Sequence, residues 1–205
     1  MSKGLFITFE GGEGTGKTTQ IERIAELFRT RGRNVITTRE PGGCELSERI
    51  RDIVLDPECL GIIDAKTELF LYMAARTQHF KQIINPALED NAVVVCDRFL
   101  DATLAYQGFA RDLGMDALYE MNVWALDGRL PDKTFLFLLD AAEGLRRERV
   151  HDRFHFESLS FHEKVREGYL LAAERYAERI TVIDINGKSA DMVFDTLSRE
   201  VNGLL

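Results

Sequence analysis

The sequence predicts an α/β protein with a doubly wound parallel sheet, on three observations. Five short apolar runs, at 5–10, 34–39, 92–97, 134–140 and 180–185, are rich in Val, Ile, Phe and Thr. Several are apolar at successive positions, which suits strands buried on both faces. Long polar segments with helical spacing separate the runs, and such alternation stacks helices on both sides of one sheet. The third observation is the junction after the first run, "GGEGTGKT" at 11–18, a glycine-rich turn between a strand and a helix. The expected architecture is three-layered, a five-stranded parallel sheet flanked by helices.

Composition narrows the classes. The 205 residues suffice for one substantial core, and no loose, repeated or low-complexity stretch divides them, so 1–205 is expected to be a single domain. No apolar run approaches the roughly 20 residues of a membrane span. The start, "MSKGLFITFE", lacks signal-peptide architecture, since its apolar piece is short and ends in Glu10. Cys44, Cys59 and Cys96 are odd in number and form no CxxC pair, which reads as reduced thiols in the cytoplasm. A net charge of -8 argues against a general nucleic-acid binder, which needs a basic surface. The positive charge that exists clusters in "GLRRERVHDR" at 144–153.

The run at 5–10 leads into Gly11, Gly12, Glu13, Gly14, Thr15, Gly16, Lys17 and Thr18, which match G-x-x-x-x-G-K-[ST]. The glycines let successive N–H groups converge on one concavity that binds phosphate oxygens, and the helix beginning near Lys17 adds its positive end. In such a loop the lysine reaches the β- and γ-phosphates and the Thr18 hydroxyl ligates Mg²⁺. Thr19 completes the nucleotide-binding stretch. A solvated lysine on a glycine turn explains the same residues without chemistry, but the strand before and the helix after favour the phosphate cradle.

The run at 34–39 ends in "TTREPGG", which places Arg39, Glu40 and Pro41 in a tight loop at a strand's carboxyl end, where open α/β sheets bind ligands. The run at 92–97 ends in "VVVCDRF". Asp97 stands where such a nucleotide site keeps a carboxylate near Mg²⁺, and Arg98 can clamp a phosphate in bidentate fashion. Pro131-Asp132 and Asn186-Gly187 punctuate the loops around the last two runs. In 161–179, Phe161, Val165, Ala172 and Tyr176 share one helical stripe. A guanine-reading Asn/Thr-Lys-x-Asp segment is absent, "PDKT" at 131–134 having the wrong order. The residues alone leave open a kinase for one of several monophosphates, a nucleotide switch, and an NTPase acting on nucleic acid.

With these segments in hand, the chain resembles the bacterial thymidylate kinases over nearly its whole length. "TREPGG", "DRFLDATLAYQG", "LPDKT" and "ESLSFHEKVREGY" follow in that family's order and at suitable spacing. The resemblance implies transfer of the γ-phosphate of MgATP to dTMP, a mobile lid at about 146–157, and a homodimer. It places Gly11 to Thr18 around the ATP phosphates and Glu13 near the sugar 3′-hydroxyl or the metal. It makes Arg98 the bridge between acceptor and donor phosphates. In "ELFLYMAARTQH", Arg76 matches the arginine that hydrogen-bonds thymine, and Tyr72 takes the place of the ring that stacks on it. Thr103 and Gln107 match polar residues on the base side, and Tyr106 the residue packed against the sugar. Ordinary amphipathicity explains Tyr72 and Arg76 without the resemblance.

The loop at 11–18 holds no arginine, so charge on the transferred phosphoryl group must be offset from elsewhere. The family branch with catalytic arginines in the lid supplies that charge, here from Arg153 and Arg149, with Arg146 or Arg147 against adenine. The lid departs from the family in being shorter, and His155 and Phe156 replace polar residues. His151, His155 and His162 lack the further ligand and the reason that a zinc site needs. Cys44 follows the acceptor loop with nothing to suggest catalysis. A phosphate oxygen is already anionic, so no strong general base is assigned.

Overall fold

Five parallel strands form one sheet in the order β2-β3-β1-β4-β5. They are β1 (Leu5–Gly11), β2 (Val35–Arg39), β3 (Val93–Asp97), β4 (Lys133–Leu138) and β5 (Ile180–Asp184). The computed structural model describes residues 4–149 and 152–204. All five expected runs are strands, most of them trimmed at an end. The fourth stops at Leu138 because Asp140 turns away to cap the next helix, its carboxylate accepting from the N–H groups of Ala142 and Glu143.

Period-2 alternation builds two cores. From β1, Ile7 and Phe9 point to one face, meeting Ile21, Ile24 and Phe28 of helix α1 (Lys17–Arg29) and Leu197 of α9 (Ala190–Asn202). Phe6 points to the other, where Val94 and Cys96 of β3 meet Leu69, Leu104 and Val165. That second layer contains α3 (Ala65–His79), α6 (Met115–Ala125) and α8 (Leu159–Arg175). In α8, Phe161, Val165 and Ala172 are buried as the stripe predicts. Tyr176 instead ends the helix and stacks on Tyr119, ring centroids 4.5 Å apart.

Short helices complete the chain: α2 (Glu45–Leu55), α4 (Asn85–Glu89), α5 (Leu100–Thr103) and α7 (Ala141–Arg147). A π-helical turn, Leu104–Ala110, continues α5. Such widened turns recur at functional sites. In-register pairing of Phe9 with Asp97 and of Gly11 with Phe137 brings the carboxyl ends of β1, β3 and β4 together at one edge. Among the described residues no helix is long and apolar enough to cross a membrane.

Candidate active site

The carboxyl edge of the sheet opens into a cleft of about 440 Å³ between the loop after β1, α3, the π turn and the segment after α7. Gly11 leaves β1 at φ +139°, where a Cβ would lie 2.5 Å from the Phe137 carbonyl oxygen. Gly14, at φ +63°, passes so close to α7 that a Cβ would meet the Gly144 carbonyl at 2.1 Å. Only glycine combines these dihedrals with these approaches. Gly16 caps α1 without a side chain, so the positive end of the helix opens onto the loop. One loop donor already holds an anionic oxygen: the Gly14 N–H donates to Glu148 Oε2 at 3.2 Å.

Lys17 folds back over its own loop, Nζ donating to the carbonyls of Gly11 at 3.2 Å and Gly12 at 3.0 Å and to Thr15 Oγ1 at 3.2 Å. Burial, then the neighbouring Arg98 cation, lowers its pKa below the usual lysine value. The Thr18 hydroxyl donates to Asp97 Oδ2 at 3.5 Å, while Asp97 Oδ1 is buried without a hydrogen-bond partner among the described residues. A hydroxyl and a carboxylate with one unused oxygen suit a hard cation that keeps phosphate and water as its other ligands. The residues therefore fit Mg²⁺. Thr19 is exposed on α1 and stands outside the cleft lining.

Arg98 connects the two halves of the cleft. It has φ +65°, a left-handed conformation that a side chain larger than Asn adopts at a cost. Its guanidinium donates to Glu13 Oε1 at 2.7 Å, the Gly11 carbonyl at 2.9 Å, Tyr106 Oη at 3.2 Å and Tyr169 Oη at 3.3 Å. Burial opposes the charges of this pair, but Glu13 more than offsets that for Arg98, whose pKa rises well above its usual value. For Glu13, burial pushes upward and the Arg98 and Lys17 cations outweigh it, holding the carboxyl below its usual value. Beneath them Glu10 accepts from the Phe99 N–H at 2.7 Å and from Tyr169 Oη at 2.9 Å. Burial, then Asp101 nearby, pushes its pKa up to about 8.

The opposite wall comes from α3, where Glu68, Tyr72 and Arg76 recur every four residues. Arg76 is buried and held by four acceptors: Glu40 Oε2 at 2.6 Å, Thr103 Oγ1 at 2.6 Å, Asn122 Oδ1 at 2.8 Å and the Phe99 carbonyl at 3.0 Å. Glu40 thus braces Arg76, and is itself fixed by His79 Nδ1 at 3.0 Å. Arg39 pairs with Glu48 at 3.1 Å at the rim, and the Glu40–Pro41 peptide is cis. Tyr72 borders the cleft, its ring 6.4 Å from that of Phe154, and burial raises its hydroxyl pKa. Tyr106 lies between Phe154, Phe161 and Tyr169, and its hydroxyl donates to Glu13 at 2.8 Å. Gln107 lines the cleft with its Nε2 donating to Glu68 at 2.6 Å.

The arginines at 146, 147, 149 and 153 separate. Arg146 and Arg147 both bind Glu143, which their bonds and charges hold at a pKa of about 2. Arg147 and the exposed Arg149 line the cleft, and Arg146 does not. Arg153, expected to supply catalytic charge, is placed in the wall beside the cleft. It is 2% exposed, pairs with Glu68 at 2.7 Å, donates through Nε to the Val54 carbonyl at 2.8 Å, and lies over the Phe154 ring. It stands outside the cleft lining because a buried carboxylate and a buried carbonyl hold it in the wall. His151 lies outside the described residues, and among those described no metal-binding group of three or more His, Cys, Asp or Glu occurs. His162 is an inward-facing side chain bound to the Phe154 carbonyl at 2.9 Å.

Sequence reasoning missed Glu68, Asn122, His79 and Arg51, which donates to the Pro41 carbonyl at 2.7 Å and lines the cleft. The four-residue spacing of Glu68, Tyr72 and Arg76 was a usable signal for the first. Asn122 and His79 offered none, since a lone polar residue in a helix does not name its partner.

Comparison with known proteins fits this geometry. A family model described as thymidylate kinase matches residues 9–195. A thymidylate kinase from Halalkalibacterium halodurans is 46% identical over 202 residues, covering 96% of each chain. One from Clostridium novyi is 44% identical and covers 100% of each. The crystal structure of thymidylate kinase from Ehrlichia chaffeensis matches with a TM-score of 0.78 at 32% identity, covering 97% of this chain and 99% of that one. The chain belongs to the thymidylate kinase family, enzymes that phosphorylate dTMP to dTDP.

Proposed function

We propose that the chain takes the phosphoryl group from MgATP and that Arg98 is the cation shared by both phosphates. The observation that carries this reading is the reach of Arg98, from the Gly11 carbonyl and Glu13 on the donor side to Tyr106 on the acceptor side. The loop N–H groups and Lys17 receive the ATP phosphates, Lys17 exchanging its loop carbonyls for phosphate oxygens. Thr18 and Asp97 would hold Mg²⁺, which would offset negative charge on the phosphates. An oxygen of the dTMP phosphate attacks the γ-phosphorus in line, and ADP leaves. That oxygen is already anionic, so the protein contributes position and charge rather than a base.

Arg149, with Arg147 beside it, supplies the lid charge at the transition state, and Arg153 anchors the lid. Thymine lies between Arg76, Thr103, Gln107 and Tyr72, with its sugar against Tyr106. Arg39, Glu40 and Pro41 shape the acceptor-phosphate end. A cytoplasmic homodimer belongs to the same reading. It is supported by the free thiols and by exposed Leu46 and Ile53 on α2, Phe70 on α3 and Trp124 on α6. The test is ADP release with ATP and a panel of monophosphates, with and without a magnesium chelator. Release that needs ATP, dTMP and magnesium together is the expected result. Turnover unaffected by the chelator contradicts the role of Thr18 and Asp97.

A further inference from the structure

The base site has a second layer whose chemistry decides which way one amide points. Glu68 is 1% exposed, and its two oxygens do different things. Oε2 faces two guanidinium groups, Arg153 at 2.7 Å and Arg111 at 3.2 Å. Oε1 accepts from Gln107 Nε2 at 2.6 Å. A carboxylate between two arginines only accepts, so the NH₂ end of the Gln107 amide must face it. Its Oε1 is then the atom left to present to the cleft that Gln107 lines. Across the site, four of the five Arg76 N–H bonds are used by Glu40, Thr103, Asn122 and Phe99, leaving an Nη2 donor. One donor beside one acceptor matches O4 and N3–H of thymine. Cytosine presents the reverse, an N4 donor and an N3 acceptor.

We propose that Glu68 is a specificity-determining positioning residue: by holding the Gln107 amide with its oxygen toward the base, it makes the cleft accept a pyrimidine with N3–H and reject cytosine. This rests on the assignment of Gln107 to the base site. It also links base reading to the lid, because Arg153 of the lid grips the same carboxylate.

The test is kcat/KM for dTMP and for dCMP on four proteins, each with a thermal melt. In Glu68→Gln the single remaining oxygen stays with Arg153 and Arg111, which turns the new NH₂ toward Gln107. Gln107 must then turn over and point N–H at the base. The dTMP-to-dCMP ratio is expected to fall by about 10- to 100-fold, the effect of replacing a hydrogen bond by two facing donors. The exchanged pair Glu68→Gln/Gln107→Glu puts a carboxylate oxygen back against N3–H and should restore the ratio to within a few-fold of the parent. A Glu68→Gln protein that loses both activities by the same factor overturns the proposal, since a merely structural role acts on both substrates alike. If Glu68→Gln does not melt cooperatively, the exchanged pair decides alone, and loss of its dTMP preference overturns the proposal. Gln107→Leu separates the two levels. Unchanged kcat/KM for dTMP overturns the base-site assignment and the proposal with it. A lowered value alongside an unmoved ratio in Glu68→Gln overturns the proposal alone.

Discussion

Replacing Arg153 by alanine should cost stability and leave the chemistry largely intact. Arg153 and Glu68 are 2% and 1% exposed and form an ion pair at 2.7 Å. Removing one partner of a buried pair costs about 3–5 kcal/mol. Arg111 still reaches the same Glu68 oxygen at 3.2 Å, which favours the low end, about 3 kcal/mol. At about 2–4 °C per kcal/mol for a chain of this size, Tm should drop by about 6–12 °C. Arg149→Ala should do the reverse, leaving Tm unchanged and lowering kcat by about 10³-fold, because its charge acts only on the transferring phosphoryl group. Differential scanning fluorimetry and a coupled ADP assay on both proteins decide. An Arg153→Ala protein that melts like the parent but loses about 10³-fold in kcat refutes the division of labour. Arg153 would then leave Glu68 and join the reaction.

Three more outcomes follow from the geometry. Lys17→Ala should lower kcat by orders of magnitude with an unchanged circular dichroism spectrum, and activity within a few-fold of the parent would move the ATP site elsewhere. Tyr106→Leu should relax the preference for dTMP over its ribose counterpart, because a 2′-hydroxyl left unpaired against the ring costs about 1–3 kcal/mol, or about 5- to 150-fold. Tyr106→Phe should keep that preference, and an unchanged ratio in Tyr106→Leu places sugar selection elsewhere. Glu10 has a folded pKa raised from 4.5 to about 8, so the folded state binds the extra proton and stability falls as pH rises through that window. Tm measured between pH 5 and 8.5 should decline less in Glu10→Gln than in the parent, and equal slopes would remove Glu10 as the cause.

The features of the fold and site legible in the sequence are those fixed by local pattern. The five strands show as apolar runs because a parallel sheet buries both faces, and the loop from Gly11 to Thr18 shows because its glycines and lysine are adjacent in the chain. Asp97 and Arg98 were legible because strand ends gather at one edge of such a sheet. The lid was not. Arg146, Arg147, Arg149 and Arg153 lie within eight residues, and nothing in their spacing separates a cation aimed at the cleft from one that closes a buried pair. Glu68, on a helix far back in the chain, makes that distinction for Arg153. Glu40 reads as a ligand-loop residue and acts as a brace for Arg76, for the same reason. The π turn at Leu104–Ala110 keeps helical spacing in its sequence, so its widening left no trace there.

The most direct test of Arg98 as the cation shared by donor and acceptor is Arg98→Ala, assayed for kcat with ATP and dTMP and for ATP binding by calorimetry. A shared cation predicts a fall in kcat of about 10³-fold or more with ATP affinity near that of the parent, since the loop and Lys17 still hold the donor phosphates. Retained kcat, or a loss confined to ATP affinity, would contradict it.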